Sequence, residues 1–162
     1  MKEQFYRSSL LLGEEGIRRL GQAHVLLFGV GGVGSFVAEA LVRTGLGALT
    51  LVDMDVIEES NLNRQLQTLQ ENLGRPKAEV MGERLLSVNP QLRLTVRHCM
   101  YLPENRDVFF PGPGYDYVAD CIDTVTAKID LAATCYHAGI PLISAMGAGN
   151  KLDPSAFRTG DL

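Results

Sequence analysis

Tryptophan is absent from this sequence, and cysteine occurs only three times, as Cys99, Cys121 and Cys135, with no CxxC pair. That argues against a disulfide framework or a tetrathiolate zinc site built from these residues, and reduced thiols suit a cytoplasmic chain. An excess of positive charge is lacking too. Fifteen Lys and Arg stand against nineteen Asp and Glu, and the net charge of −4 offers no global field for nucleic acid. A local basic patch remains open, because Arg and Lys recur between positions 18 and 97. No apolar run approaches the roughly 18 residues of a membrane span. The amino terminus, "MKEQFYRSSLLLGEEG", is broken by acids and glycine after three leucines and does not read as a signal peptide. There is no low-complexity tract and no internal repeat. What remains is the profile of a soluble globular chain of 162 residues, most simply one domain with a real core.

Short apolar runs alternate with helical patterns, which predicts βαβ units. Strands are expected at 24–30, 48–54, 92–98, 116–123 and 140–147, and helices at 34–44, 77–89 and 126–139. "EEGIRRLGQA" predicts a short helix on the domain's flank, within an amino-terminal segment spanning 1–22. The turn-rich "PENRDVFFPGPGYD" reads as a connector with one short helix. The expected fold is α/β, a Rossmann-like doubly wound and mainly parallel sheet with helices on both faces.

"GVGGVG", residues 29–34, sits between the first strand and the first of these helices, the context a phosphate-binding fingerprint requires. Gly29 permits the turn, Gly31 and Gly32 let backbone approach phosphate, and Gly34 lets the helix pack closely. The helix start then offers N–H groups to an anion. The fingerprint alone leaves NAD, FAD and ATP open. Asp53, at the end of the second strand, stands where a ribose-binding acid belongs, with Asp55 two residues on.

"SNLNRQ", 60–65, discriminates. A nicotinamide enzyme needs little there, yet Asn61, Arg64 and Gln65 cluster and Lys77 follows. Arg64 and Lys77 suit a triphosphate, one by bidentate contact and one as a point charge. For each residue alone, a solvated loop is the bland alternative. Asp120 and Asp123 lie where the fourth strand leaves the sheet. A carboxylate beside phosphates calls for a cation, and magnesium is the natural one; Asp123 as a helix N-cap is the competing reading. The cysteines and the three histidines show no catalytic or metal-ligand spacing.

Taken together, "GVGGVGS", "DMDVIEESNLNRQ", "GRPK", "NP" and "DCID" resemble the ThiF/MoeB/ubiquitin-activating-enzyme superfamily of ATP-dependent adenylating enzymes, over essentially the entire chain. "YRSSLLLGEEG", "EALVRTGLGALTLVDMD" and "MGAGNKLDPSAF" are most similar to its tRNA threonylcarbamoyladenosine dehydratase branch. The resemblance implies a ThiF-type domain over 1–162, lacking the carboxy-terminal part that this branch carries. It implies ATP and Mg2+ as cofactors, with Asp53 on the ribose, and Asp55 and Asn61 completing the pocket. Arg64 and Lys77 clamp the triphosphate, and Asp123 is the magnesium-linked aspartate. It makes Arg7 a catalytic residue lent across a homodimer. The implied substrate is tRNA bearing threonylcarbamoyladenosine at position 37, and a sulfur-transfer protein is a further partner the resemblance admits. Rivals are adenylation of the carboxy-terminal glycine of a ubiquitin-like sulfur carrier, a non-catalytic nucleotide-binding scaffold and, last, an NAD-dependent dehydrogenase.

Overall fold

A computed structural model describes residues 3–112, 114–147, 149 and 152–161. Met1 and Lys2 of the amino-terminal segment, and Ala148, Asn150 and Lys151 of the "MGAGNKLDPSAF" motif, lie outside the described residues.

Five strands form one parallel sheet: β1 (His24–Phe28), β2 (Ala48–Val52), β3 (Arg93–Arg97), β4 (Tyr117–Asp120) and β5 (Leu142–Ser144), in the order β3-β2-β1-β4-β5. The longer helices are α1 (Tyr6–Gln22), α2 (Gly34–Thr44), α3 (Lys77–Val88) and α5 (Val125–Ala138), with the single turn α4 (Arg106–Phe109) in the connector. Strand periodicity sends alternate residues of β1 to opposite faces. Val25 and Leu27 meet Ala38 and Val42 of α2 and Met81 and Leu85 of α3. Leu26 and Phe28 meet Phe109 of α4 and Ala127 and Leu131 of α5. With helices on both faces and order reversing between β2 and β4, this is the doubly wound arrangement expected. The strands are shorter than the apolar runs because turns claim their ends: Gly29 is at φ 85° and Gly139, which ends α5, at φ 65°.

The amino-terminal helix differs from expectation. It begins eight residues before "EEGIRRLGQA" and is kinked at Gly13, at φ 72° and ψ 167°. The helix continues upstream through the exposed leucines of the "SLLL" run, and Gly13 supplies the break between two helical pieces. α1 buries none of its residues, although Phe5 just before it is buried against Gly45. Among the described residues no helix is long and apolar enough to cross a membrane.

Candidate functional site

Ligands of an open α/β sheet bind outside the carboxyl ends of its strands, where the strand order reverses. Here that edge is formed by the ends of β2, β1 and β4. Gly29 continues β1, its N–H donating to the Val52 carbonyl at 2.8 Å. A Cβ on Gly29 would stand 2.8 Å from the Cys121 carbonyl, and one on Gly34 would stand 1.8 Å from the Gly29 oxygen. Neither position has room for a side chain, so the turn into α2 is tight. At Gly31 the nearest atom would be the Gln65 amide nitrogen at 3.9 Å, an ordinary contact distance. The N–H groups of Gly31, Gly32 and Val33 donate to no described group, as expected at an open helix start.

Asp53 braces this loop. Its Oδ2 accepts from Val30 N–H at 2.6 Å and its Oδ1 from Asp55 N–H at 2.8 Å. Burial pushes its carboxyl above the ordinary aspartate value, despite those two donors and nearby Lys77. Each oxygen keeps a second lone pair for a ribose hydroxyl. Asp55 is exposed and binds the buried Lys77 ammonium through Oδ2 at 2.8 Å. The Lys77 N–H also donates to the Asp55 carbonyl, and the Val56–Pro76 bridge zips the two segments together. Lys77 is therefore held beside Asp53 by an acid that solvent or an incoming anion can replace.

Arg64 lies over the loop. Its Cγ would be 3.3 Å from a Cβ on Gly32, and its Nη1 donates to Ser60 O and Asn63 Oδ1, both at 2.9 Å. Asn61 is buried and used locally: Oδ1 accepts from Glu58 N–H, while Nδ2 reaches Ser60 Oγ at 3.4 Å. Gln65 is buried with its Oε1 lacking a described partner. Gln67 and Ser35, absent from the sequence-based set, tie this segment to the loop. Gln67 Nε2 donates to Val30 O at 2.7 Å, and Leu66 N–H to Ser35 Oγ at 3.3 Å. No motif marks Gln67, and although Ser35 closes "GVGGVGS", each acts through a partner thirty or more positions away.

On the far side, Asp120 is completely buried. Its Oδ1 accepts from Ile122 N–H, and its Oδ2 from Lys128 Nζ at 2.9 Å and Ser144 Oγ at 2.5 Å. Lys128 and Ser144 are further residues without a sequence signal. With Asp120 so occupied, Asp123 is the acid of "DCID" that faces outward. It is exposed and bonds to no described side chain. It does not cap α5 either: the N-cap is Thr124 and receives no side-chain bond. Among the described residues no cluster of three metal-ligating side chains exists, so a cation here would rely on Asp123 and on oxygens of the nucleotide. One carboxylate with phosphate oxygens is a set that suits magnesium.

Arg7 stands apart. It follows Phe5, which packs on Gly45 at the carboxyl end of α2, and the 11 residues of α2 put that end about 16 Å from the glycine loop. The chain does not bring Arg7 to its own site. Clefts of about 300 Å³ and about 740 Å³ also flank α1. Both lie away from the glycine loop and contain none of the aspartates of the site, so the chemistry belongs to the carboxyl edge of the sheet and not to these clefts. Burial pushes the Cys121 and Cys135 thiols up to about 11, which leaves neither as a ready thiolate at neutral pH.

Comparison with known proteins finds the same fold and a shared family. The ThiF family model matches residues 5–161. A Bacillus subtilis tRNA threonylcarbamoyladenosine dehydratase is 44% identical over 162 residues, covering 100% of this chain and 63% of the relative. The Escherichia coli protein of that name is 43% identical, covering 99% of this chain and 60% of the relative. The crystal structure of the E. coli enzyme in complex with ATP superimposes with a TM-score of 0.91 at 44% identity, covering 94% of this chain and 63% of that one. A Salmonella typhimurium molybdopterin-synthase adenylyltransferase is 35% identical over 139 residues, 86% of this chain and 54% of the relative. The chain thus spans about three fifths of the length of these two bacterial dehydratases.

Proposed function

This chain belongs to the ThiF family, and from that membership and the shelf at the sheet's carboxyl edge we propose that it binds ATP and adenylates a carboxylate. The observation that carries the reading is Arg64 laid against Gly32, with Lys77 held beside Asp53. A nicotinamide site needs little there beyond adenosine contacts, whereas two cations suit a triphosphate. We further propose that the carboxylate is that of threonylcarbamoyladenosine in tRNA and that the product is its cyclic, dehydrated form. The named activity of the relatives at 43% and 44% identity supports this.

The loop N–H groups and Arg64 hold the phosphates, and Asp53 takes the ribose. The substrate carboxylate oxygen forms a bond to the α-phosphorus as the bond to the β-phosphate oxygen breaks, and pyrophosphate leaves. Lys77 exchanges Asp55 for phosphate oxygens and neutralises charge on the leaving group. The substrate's carbamoyl nitrogen then bonds to the activated carbonyl carbon. AMP departs with the electron pair of the C–O bond, and the N–H proton passes to solvent. Positioning and charge neutralisation supply the catalysis, and the high thiol values of Cys121 and Cys135 accord with an acceptor inside the substrate. Magnesium, held by Asp123, would shield the phosphate charge. Adenylation of a carrier protein's terminal carboxylate uses the same site chemistry, but no feature of this site favours it.

The active unit in this proposal is a cytoplasmic homodimer in which Arg7 reaches the partner's ATP. It is supported by α1, where Leu10, Leu11 and Leu12 are exposed beside an arginine that follows Phe5 at the far end of α2. The protein incubated with ATP and modified tRNA should convert the nucleoside to a form lighter by one water, read by mass spectrometry. Asp123→Ala and Arg64→Ala should abolish conversion. Mixing Arg7→Ala with Asp123→Ala should restore it, because one site in each mixed dimer is then intact. NADH binding without ATP competition would refute the nucleotide assignment, and a mixture that stays inactive would refute the shared arginine.

A further inference from the structure

Gln67 lies outside the recognisable motif that ends at Gln65, and its side chain is buried with only 2% of its surface exposed. Its amide nitrogen donates to the Val30 carbonyl at 2.7 Å, an assignment the chemistry requires because a carbonyl oxygen only accepts. Its Oε1 is buried with no described partner. A methionine or leucine would fill similar space without that unsatisfied oxygen, so the glutamine is there for its N–H.

The two peptide units that meet at the Val30 α-carbon are thereby each tied once. Its N–H goes to Asp53 Oδ2, its carbonyl to Gln67. In a planar trans peptide the carbonyl and the following N–H point in opposite directions. Holding the Val30 carbonyl toward the 61–68 segment therefore aims the Gly31 N–H away from that segment, and it donates to no described group. Gly31 is also the least crowded of the loop glycines, where an added Cβ would make only an ordinary contact with Gln65 Nε2 at 3.9 Å. The second tie, Leu66 N–H to Ser35 Oγ, fixes the same segment to the start of α2.

We propose that Gln67 is a positioning residue of the nucleotide site, setting the Val30–Gly31 peptide so that the Gly31 N–H meets a phosphate oxygen. This rests on the nucleotide reading above and adds to it the residue that aims the loop. It touches no ligand itself.

The test measures binding of ATP and of adenosine to the parent protein and to Gln67→Met by calorimetry, with thermal melting to follow the fold. Gln67→Met should weaken ATP by roughly ten- to hundred-fold, the effect of misplacing one hydrogen bond to a charged group, and leave adenosine unchanged. Gln67→Glu gives an independent readout. Its ionised form repels the Val30 carbonyl, whereas its neutral form has an O–H to donate. Its ATP affinity relative to the parent should therefore recover as pH falls, while that of Gln67→Met should not. Equal losses for ATP and adenosine, or ATP binding within twofold of the parent, would overturn the inference alone. So would a Gln67→Glu ratio that does not change with pH. A parent that binds no ATP would overturn the nucleotide reading and this inference with it.

Discussion

Asp53 and Asp120 end the two strands that flank β1, and they begin alike. Each folds one carboxylate oxygen back onto the N–H two residues further on, Asp55 for one and Ile122 for the other. They part at the second oxygen. That of Asp53 takes a loop N–H, and the group is only half-buried. That of Asp120 takes Lys128 and Ser144 and is sealed from solvent. The same local turn thus makes a ligand-facing acid in one strand and an internal fastener in the next. What distinguishes them is the chemistry that arrives from distant elements.

The comparison breaks most visibly through the lysines. Lys128→Met leaves the Asp120 carboxylate buried without its counterion and should lower unfolding free energy by about 3–5 kcal/mol. Lys77→Met leaves Asp55 exposed and hydrated, and should cost much less stability while sharply weakening ATP. Urea denaturation of both variants decides it, and equal losses would mean that the two pairs do not differ in kind.

A smaller effect separates the acids' other partners. Asp53→Ala should weaken ATP about tenfold and destabilise by about 1–2 kcal/mol, because Val30 and Asp55 lose an acceptor. Ser144→Ala should cost about 1 kcal/mol of stability and leave ATP affinity alone. ATP affinity falling in Ser144→Ala would show that Asp120 belongs to the site after all.

The smallest effect is one of pH. Burial raises the Asp53 carboxyl above its ordinary value, so on acidification it takes up its proton earlier than a free aspartate does. ATP affinity should begin to decline at a pH above the ordinary aspartate range, and Asp53→Asn should flatten that part of the profile. The stability sign is opposite. A raised carboxyl favours the fold while protonated, and that contribution is lost as pH rises through the folded-state value. A parent profile identical to that of Asp53→Asn would remove Asp53 from the ribose.

Much of the framework was legible from one dimension. Strand, glycine turn and helix occur in sequence order, and α2, α3 and α5 carry their own periodicity and stops. Arg64 and Lys77 stood out because cations have no work beside a nicotinamide. The helical stretch ahead of Gly13 was missed because its apolar residues face solvent and so supply no core-directed pattern. Lys128, Ser144 and Gln67 were illegible for a different reason. Each is an ordinary residue for its element, given meaning by a carboxylate or carbonyl 8, 24 and 37 positions away respectively. Asp123 was singled out by the resemblance, but that Asp120 turns inward was not legible, because it depends on Lys128 and Ser144.

The attachment of α1 has a consequence in time. The helix buries no residue of its own, yet Phe5 anchors one end, and at the other Gly47 N–H binds Leu20 O where no side chain would fit between Gly47 and Gly21. Amide hydrogens between those two anchors can exchange with solvent by a local lifting that leaves the sheet intact. Those of β1, paired on both sides and covered on both faces, exchange only when the domain unfolds. The chain therefore has two clocks, a fast one on its outer strap and a slow one in the strand that carries the phosphate loop.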